Sequence, residues 1–95
     1  MAEKKVIWSR NAKTQFFEIL EFYIERNGNS KYSLKLVDEV EEILSIISNY
    51  EFLGRLASDR RSRVIPMKHF LIIYEIDNDR IEILSFWDNR QDLPR

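Results

Sequence analysis

Two apolar runs near the C-terminus, Phe70–Ile76 (FLIIYEI) and Ile81–Trp87 (IEILSFW), constrain this chain more than any other feature. Each alternates with a strand period. The residues between them, Asp77-Asn78-Asp79-Arg80, tolerate turn geometry, so the pair reads as an antiparallel hairpin. A two-residue loop at Asn78-Asp79 sets Ile76 opposite Ile81, Tyr74 opposite Ile83, Ile72 opposite Ser85 and Phe70 opposite Trp87. On the other face it sets Ile73 opposite Leu84, Leu71 opposite Phe86 and His69 opposite Asp88. It also places Glu75 across from Glu82, a like-charge pair that costs stability. Both faces of this hairpin are apolar, whereas a sheet face left in water is polar. Each face therefore needs a cover, one from the chain's own helices and the other from a partner. Upstream, Arg63–Met67 is a third strand, and Pro66 marks it as an edge or bulged strand.

The rest of the chain supplies the first cover. Lys4–Ser9 reads as a short opening strand, and Ser9 stands where a helix N-cap belongs. From Arg10 to Arg26 the period becomes helical. Phe16, Leu20 and Tyr23 form one apolar line, and Phe17, Leu20 and Ile24 a second beside it. Asn27-Gly28 ends the helix, because glycine reaches the left-handed cap geometry without steric cost. Ser30 can cap a second helix, in which Leu36, Val37, Val40, Ile43, Leu44 and Ile47 recur at spacings of three and four. The short connection makes the two helices an antiparallel hairpin. Arg55–Ser62 is polar and basic and reads as a loop. The order is β-α-α-β-β-β over a single domain, residues 1–95. The expected architecture is two-layer α+β, with the helical hairpin packed on a small antiparallel sheet.

Composition excludes several classes. With 95 residues and a 44% hydrophobic fraction, the chain can build one modest core. It has no cysteine, so neither disulfides nor thiolate metal sites are open to it. No apolar run reaches the ~20 residues of a membrane span, and no signal peptide is visible, which points to the cytoplasm. No cofactor motif is present: the only glycines, Gly28 and Gly54, cannot form a phosphate-cradling loop. The carboxylates Asp38, Glu39, Glu41 and Glu42 lack the accompanying histidine of a helical metal site and read as a solvated helix face.

The net charge of −1 conceals a basic segment, in which Arg55, Arg60, Arg61, Arg63 and Lys68 face only Asp59. Such a cluster suits a polyanion or an acidic partner, and equally a solvated loop. Arg61 and Arg63 share strand parity and are expected on one face, while Lys68 and Arg90 are expected at one end of the hairpin. His69, the only histidine, is a general acid–base candidate or a strand-edge residue paired with Asp88.

The order of elements and the wording of the C-terminal half resemble the RelE/ParE superfamily of toxins from bacterial type II toxin–antitoxin systems. The resemblance rests on VIWSRNAKTQFFEILEFYI, the Gly54 loop, RVIPMKHFLIIYEI and IEILSFWDNRQDLP. Pro66, Tyr74, Trp87-Asp88 and Arg90 stand at the family's recurring positions. It implies a toxin, of the kind associated with plasmid stabilization, neutralised by an antitoxin whose C-terminal segment wraps it, in a heterotetramer or larger assembly. It also implies one of two activities. ParE-like members poison DNA gyrase by binding; RelE-like members are ribosome-dependent mRNA interferases that cut without a metal. The arginine that precedes the middle-strand core in RelE-like proteins is replaced here by Leu71, and the RelE-like C-terminal tyrosine has no counterpart. The pattern is closer to ParE. If the chain were instead a ribonuclease, Arg61, Arg63, Lys68, His69 and Arg90 would be its catalytic candidates, the arginines stabilising phosphorane charge and Lys68 or His69 moving protons.

The helical hairpin is expected to cover Phe70, Ile72, Tyr74, Ile81 and Ile83. Leu71, Ile73, Leu84 and Phe86 would then form an uncovered patch for an amphipathic, acidic antitoxin segment.

Overall fold

A computed structural model describes residues 4–89. Its elements are β1 (Lys5–Trp8), α1 (Arg10–Asn27), α2 (Lys31–Asn49), β2 (Arg55–Leu56), β3 (Ser62–Met67), β4 (Phe70–Ile76) and β5 (Arg80–Asp88). The sheet order is β1-β5-β4-β3-β2. All neighbours are antiparallel except β1, which joins β5 in parallel and makes the sheet mixed. Both helices pack on the same face, that of Ile65, Met67, Phe70, Ile72, Tyr74, Ile81, Ile83 and Phe86. The two-layer α+β reading holds. The one added element is β2, two residues inside the expected loop, too short to carry any period of its own.

Local signals explain most of the boundaries. Ser9 caps α1, its Oγ accepting from Ala12 N at 3.0 Å. Gly28 ends α1 at φ 73°, its N–H donating to Ile24 O. Ser30 holds the cap position of α2 but makes no side-chain cap; instead Asn29 Oδ1 accepts from Lys31 N. Ser33 Oγ donates to Leu20 O at 2.7 Å and ties the two helices together. Along α1 the buried line is Ala12, Phe16, Ile19 and Tyr23. The second expected line is not core: Phe17 and Ile24 are exposed, because the hairpin presents that side of α1 outward. Pro66 lies past the two positions, Arg63 and Val64, at which β2 pairs with β3, so its missing N–H falls where β3 is an edge.

The β4–β5 hairpin corrects the expected register halfway along. From the turn, Ile76–Ile81, Glu75–Glu82 and Tyr74–Ile83 pair as the two-residue loop requires. Between Ile73 and Tyr74 the register shifts, leaving Leu84 as the extra residue on β5. Beyond it Ile73 faces Ser85, Ile72 faces Phe86, Leu71 faces Trp87 and Phe70 faces Asp88. A one-residue bulge inverts the facing of everything past it. Phe86, expected on the outer face, is 1% exposed in the core, and Trp87 is 37% exposed.

The bulge is held by the start of α1. Leu84 O accepts from Ser9 Oγ and Asn11 Nδ2, while Gln15 Oε1 accepts from Phe86 N and Ser85 Oγ, both at 2.9 Å. Backbone groups without a ladder partner are thus satisfied by side chains. Phe86 then sits among Phe16 (4.8 Å between ring centroids), Phe70 (5.3 Å) and Trp8 (6.4 Å).

This register makes an unequal pair of substitutions. Phe86→Ala should cost about 3–5 kcal/mol, as a fully buried aromatic does. Trp87→Ala should cost under about 1 kcal/mol, as surface changes usually do. Urea unfolding of both variants reads the difference; the unbulged register predicts the opposite order.

Candidate functional site

Among the described residues the basic candidates do not converge. Strand β3 spans six residues, roughly 17 Å at about 3.3 Å per residue. Arg61 and Arg63 lie at one end of it, Lys68 and His69 at the other. Arg61 and Arg63 do not share a face either. Arg61 precedes the strand and reaches Glu75, its Nη2 3.7 Å from the carboxylate. Arg63 pairs with Tyr74 and its Nη1 donates to Gly54 O at 2.8 Å on the helix side. Lys68, at φ 57° in the tight β3–β4 turn, donates to Glu39 Oε2 of α2 at 2.8 Å. That bond holds the Lys68 ammonium above its ordinary pKa. His69 is in the turn rather than on a strand edge. Its Nε2 lies 3.2 Å from Tyr32 Oη, and its carbonyl accepts from Asn89 N. Asp88 accepts from Tyr23 Oη at 3.0 Å. Arg90 lies outside the described residues. Among the described residues no group of three or more His, Asp or Glu side chains is placed to hold a metal ion.

At the Arg63 end, one buried phenol organises a loop. Tyr74 Oη accepts from Gly54 N and donates to Glu51 O, both at 2.8 Å. A Cβ on Gly54 would lie 2.7 Å from that oxygen, so only glycine fits. The Arg63 guanidinium completes the clamp, 5.0 Å above the Phe52 ring. Burial pushes the Tyr74 phenol up from its ordinary value near 10. The adjoining β2–β3 turn is equally ordered. Asp59 Oδ1 accepts from Arg61 N and Ser62 N, and its Oδ2 from Ser62 Oγ. These donors hold its carboxyl below the usual value. They also sustain Arg60 at φ 63°.

The outer sheet face carries Leu71, Ile73 and Leu84, all half-buried, with Trp87 where Phe86 was expected. Pro66, Leu71 and Trp87 make one cross-strand row, and Val64, Ile73 and Ser85 the next. Toward the β4–β5 turn the face becomes polar: Ile7, Glu75, Asp77, Arg80 and Glu82 line a shallow cleft of about 170 Å³. A wider cleft of about 430 Å³ runs between α1 and the end of β5, lined by Gln15, Glu18, Ile19, Phe22, Phe86, Trp87 and Asp88. Sequence reasoning missed two features here. Trp87 was misplaced by the bulge, which leaves no mark in the alternation. The exposed apolar residues of the segment after α2 have no period at all; their only signal is an apolar cluster, Tyr50-Glu51-Phe52-Leu53, where a helix has just ended.

The clamp has a pH signature. The folded-state pKa of Tyr74 is raised, so its contribution is complete below pH 10 and is lost as pH climbs through the folded value. Tyr74→Phe should cost about 1–3 kcal/mol at pH 8, because Gly54 N–H is left buried and unpaired. The gap between wild type and variant should narrow above pH 10 in urea unfolding. A constant gap would show that Tyr74 ionises as freely in the folded chain as in the unfolded one.

Residues 6–93 match the family model described as ParE toxin of type II toxin-antitoxin system, parDE. The structure is similar to a chain of the chromosomal ParDE TA system from P. aeruginosa. The TM-score is 0.78 at 18% identity, covering 93% of this chain and 98% of that one. It is also similar to the solution structure of HP0894 from Helicobacter pylori, at a TM-score of 0.52 and 18% identity, covering 88% and 92%. No curated protein sequence matches the chain. No helix among the described residues is long and apolar enough to cross a membrane. With the family model spanning nearly the whole sequence and the fold agreeing, the chain belongs to the ParE toxin family of type II toxin–antitoxin systems.

Proposed function

We propose that the chain acts by binding, as a ParE-like inhibitor of DNA gyrase in the cytoplasm, and is neutralised by a cognate antitoxin. The observation that supports binding over RNA cleavage is the dispersal of the basic side chains. Metal-free cleavage needs charge-stabilising and proton-moving groups within hydrogen-bond reach of one phosphate. Arg63 and Lys68 are instead committed to Gly54 and Glu39 at opposite ends of β3. Purified protein should therefore impair gyrase supercoiling, and primer extension on mRNA from expressing cells should show no codon-positioned cuts. Normal supercoiling at large excess would remove gyrase as the target, and such cuts would return the RelE-like endoribonuclease as the better reading.

The antitoxin segment is assigned to the outer sheet face, over Leu71, Ile73, Leu84 and Trp87, in a heterotetramer or larger assembly. Apolar rows of this kind mark partner sites. Glu75 and Glu82 border them, so the segment carries basic residues toward the β4–β5 turn. Leu71→Ser with Trp87→Ser should weaken antitoxin binding tenfold or more by calorimetry and shift the unfolding temperature by only a few degrees. Unchanged affinity would remove this face from the antitoxin interface.

A further inference from the structure

Of the ten large apolar side chains left exposed among the described residues, four fall between positions 50 and 56: Tyr50 (69%), Phe52 (67%), Leu53 (53%) and Leu56 (44%). The same segment and the turn that follows carry Arg55, Arg60 and Arg61, all exposed. Only one carboxylate shares that turn, and its oxygens are occupied: Asp59 spends them on Arg61 N, Ser62 N and Ser62 Oγ. Arg61 has a distant contact with Glu75, at 3.7 Å and highly exposed, worth little.

This patch is not a loose loop. Tyr74 Oη and Arg63 Nη1 pin its base at Glu51 and Gly54. Ala57 N to Ser62 O and Arg60 N to Ala57 O close its tip. The apolar residues are therefore held out in water rather than free to collapse onto the core. Held exposure of apolar surface lowers the ordering cost of binding.

The composition selects the kind of partner. Aromatic residues and arginine without lysine characterise the centres of protein–protein interfaces. Residues 50–63 contain no lysine. Leu53 and Leu56 offer nothing to a nucleic-acid backbone but would fill an apolar pocket. The patch lies at the β2 edge of the sheet, apart from the rows of Leu71 and Trp87: Leu56 pairs with Arg63 on the helix side, and Arg55 with Val64 on the outer side.

We propose that this segment and the β2–β3 turn form the surface through which the chain engages its cellular target, a protein presenting an apolar pocket ringed by carboxylates. The proposal deepens the reading of the chain as a toxin that acts by binding, but it does not require that the target be gyrase. Growth arrest on induced expression tests it for any target. Arg55→Glu, Arg60→Glu and Arg61→Glu together should restore colony counts at least a hundredfold. Leu53→Asp alone should do the same. Lys31→Glu with Lys35→Glu, a two-site charge reversal on exposed positions of α2, should leave growth arrest intact. Soluble yield and unfolding temperature confirm that each variant folds, and Arg→Gln at the three sites stands in if the reversals do not. The assignment is overturned if folded variants arrest growth as wild type does, if the α2 control rescues equally, or if wild type causes no arrest. It is also overturned if the variants lose only antitoxin binding. Growth arrest by wild type with unaffected gyrase would overturn the gyrase reading alone.

Discussion

The hydrogen bonds from the start of α1 to the β5 bulge govern the rest of the structure. Ser9, Asn11 and Gln15 satisfy the backbone of Leu84 and Phe86, where the β4–β5 ladder shifts. That shift sends Phe86 into the aromatic cluster with Phe16 and Phe70 and turns Trp87 outward. It also brings Asp88 to Tyr23 of α1. A regular ladder would put Trp87 and Ser85 inward, filling the same space with a larger ring and a hydroxyl. The helix and the bulge are thus one device, since neither set of polar groups is satisfied without the other.

A second device begins beside the bulge, at Tyr74, and reaches toward the β2 edge of the sheet. Tyr74 is fully buried by its ring, and its hydroxyl leaves the core only to meet Gly54 and Glu51. The loop after α2 is consequently fastened to the centre of the sheet although most of its side chains face water. Arg63 is drawn into the same clamp, where its guanidinium has a structural use. The two surfaces proposed for partners, the rows on the outer sheet face and the patch after α2, each border one of these devices. Hydrogen bonds therefore tie both to the core.

The dispersal of charge follows from the strand geometry. Residues 61–69 are contiguous in sequence and look like a cluster there, but an extended strand separates its ends by about 3.3 Å per residue. The turn geometry then aims Lys68 back at α2, where Glu39 awaits it. Proximity in sequence is a poor guide to a site when the intervening chain is a strand.

Much of the fold was legible in the sequence because its signals are short-ranged. The alternation of Phe70–Ile76, the turn at Asn78-Asp79, the Ser9 cap and the Gly28 stop each depend on a few neighbouring residues, and each stands where local physics puts it. The family, too, is readable from the order of such pieces. Tertiary structure alone decided the rest. The bulge at Leu84 is chosen by side chains about 70 positions away in sequence, and no local pattern distinguishes Phe86 inward from Trp87 inward. Which of two apolar lines on α1 is core depends on where the second helix lies. The separation of Arg63 from Lys68, and the fastening of Gly54 beneath Tyr74, likewise arise only when the strands are in place, because they are contacts between elements rather than preferences within them.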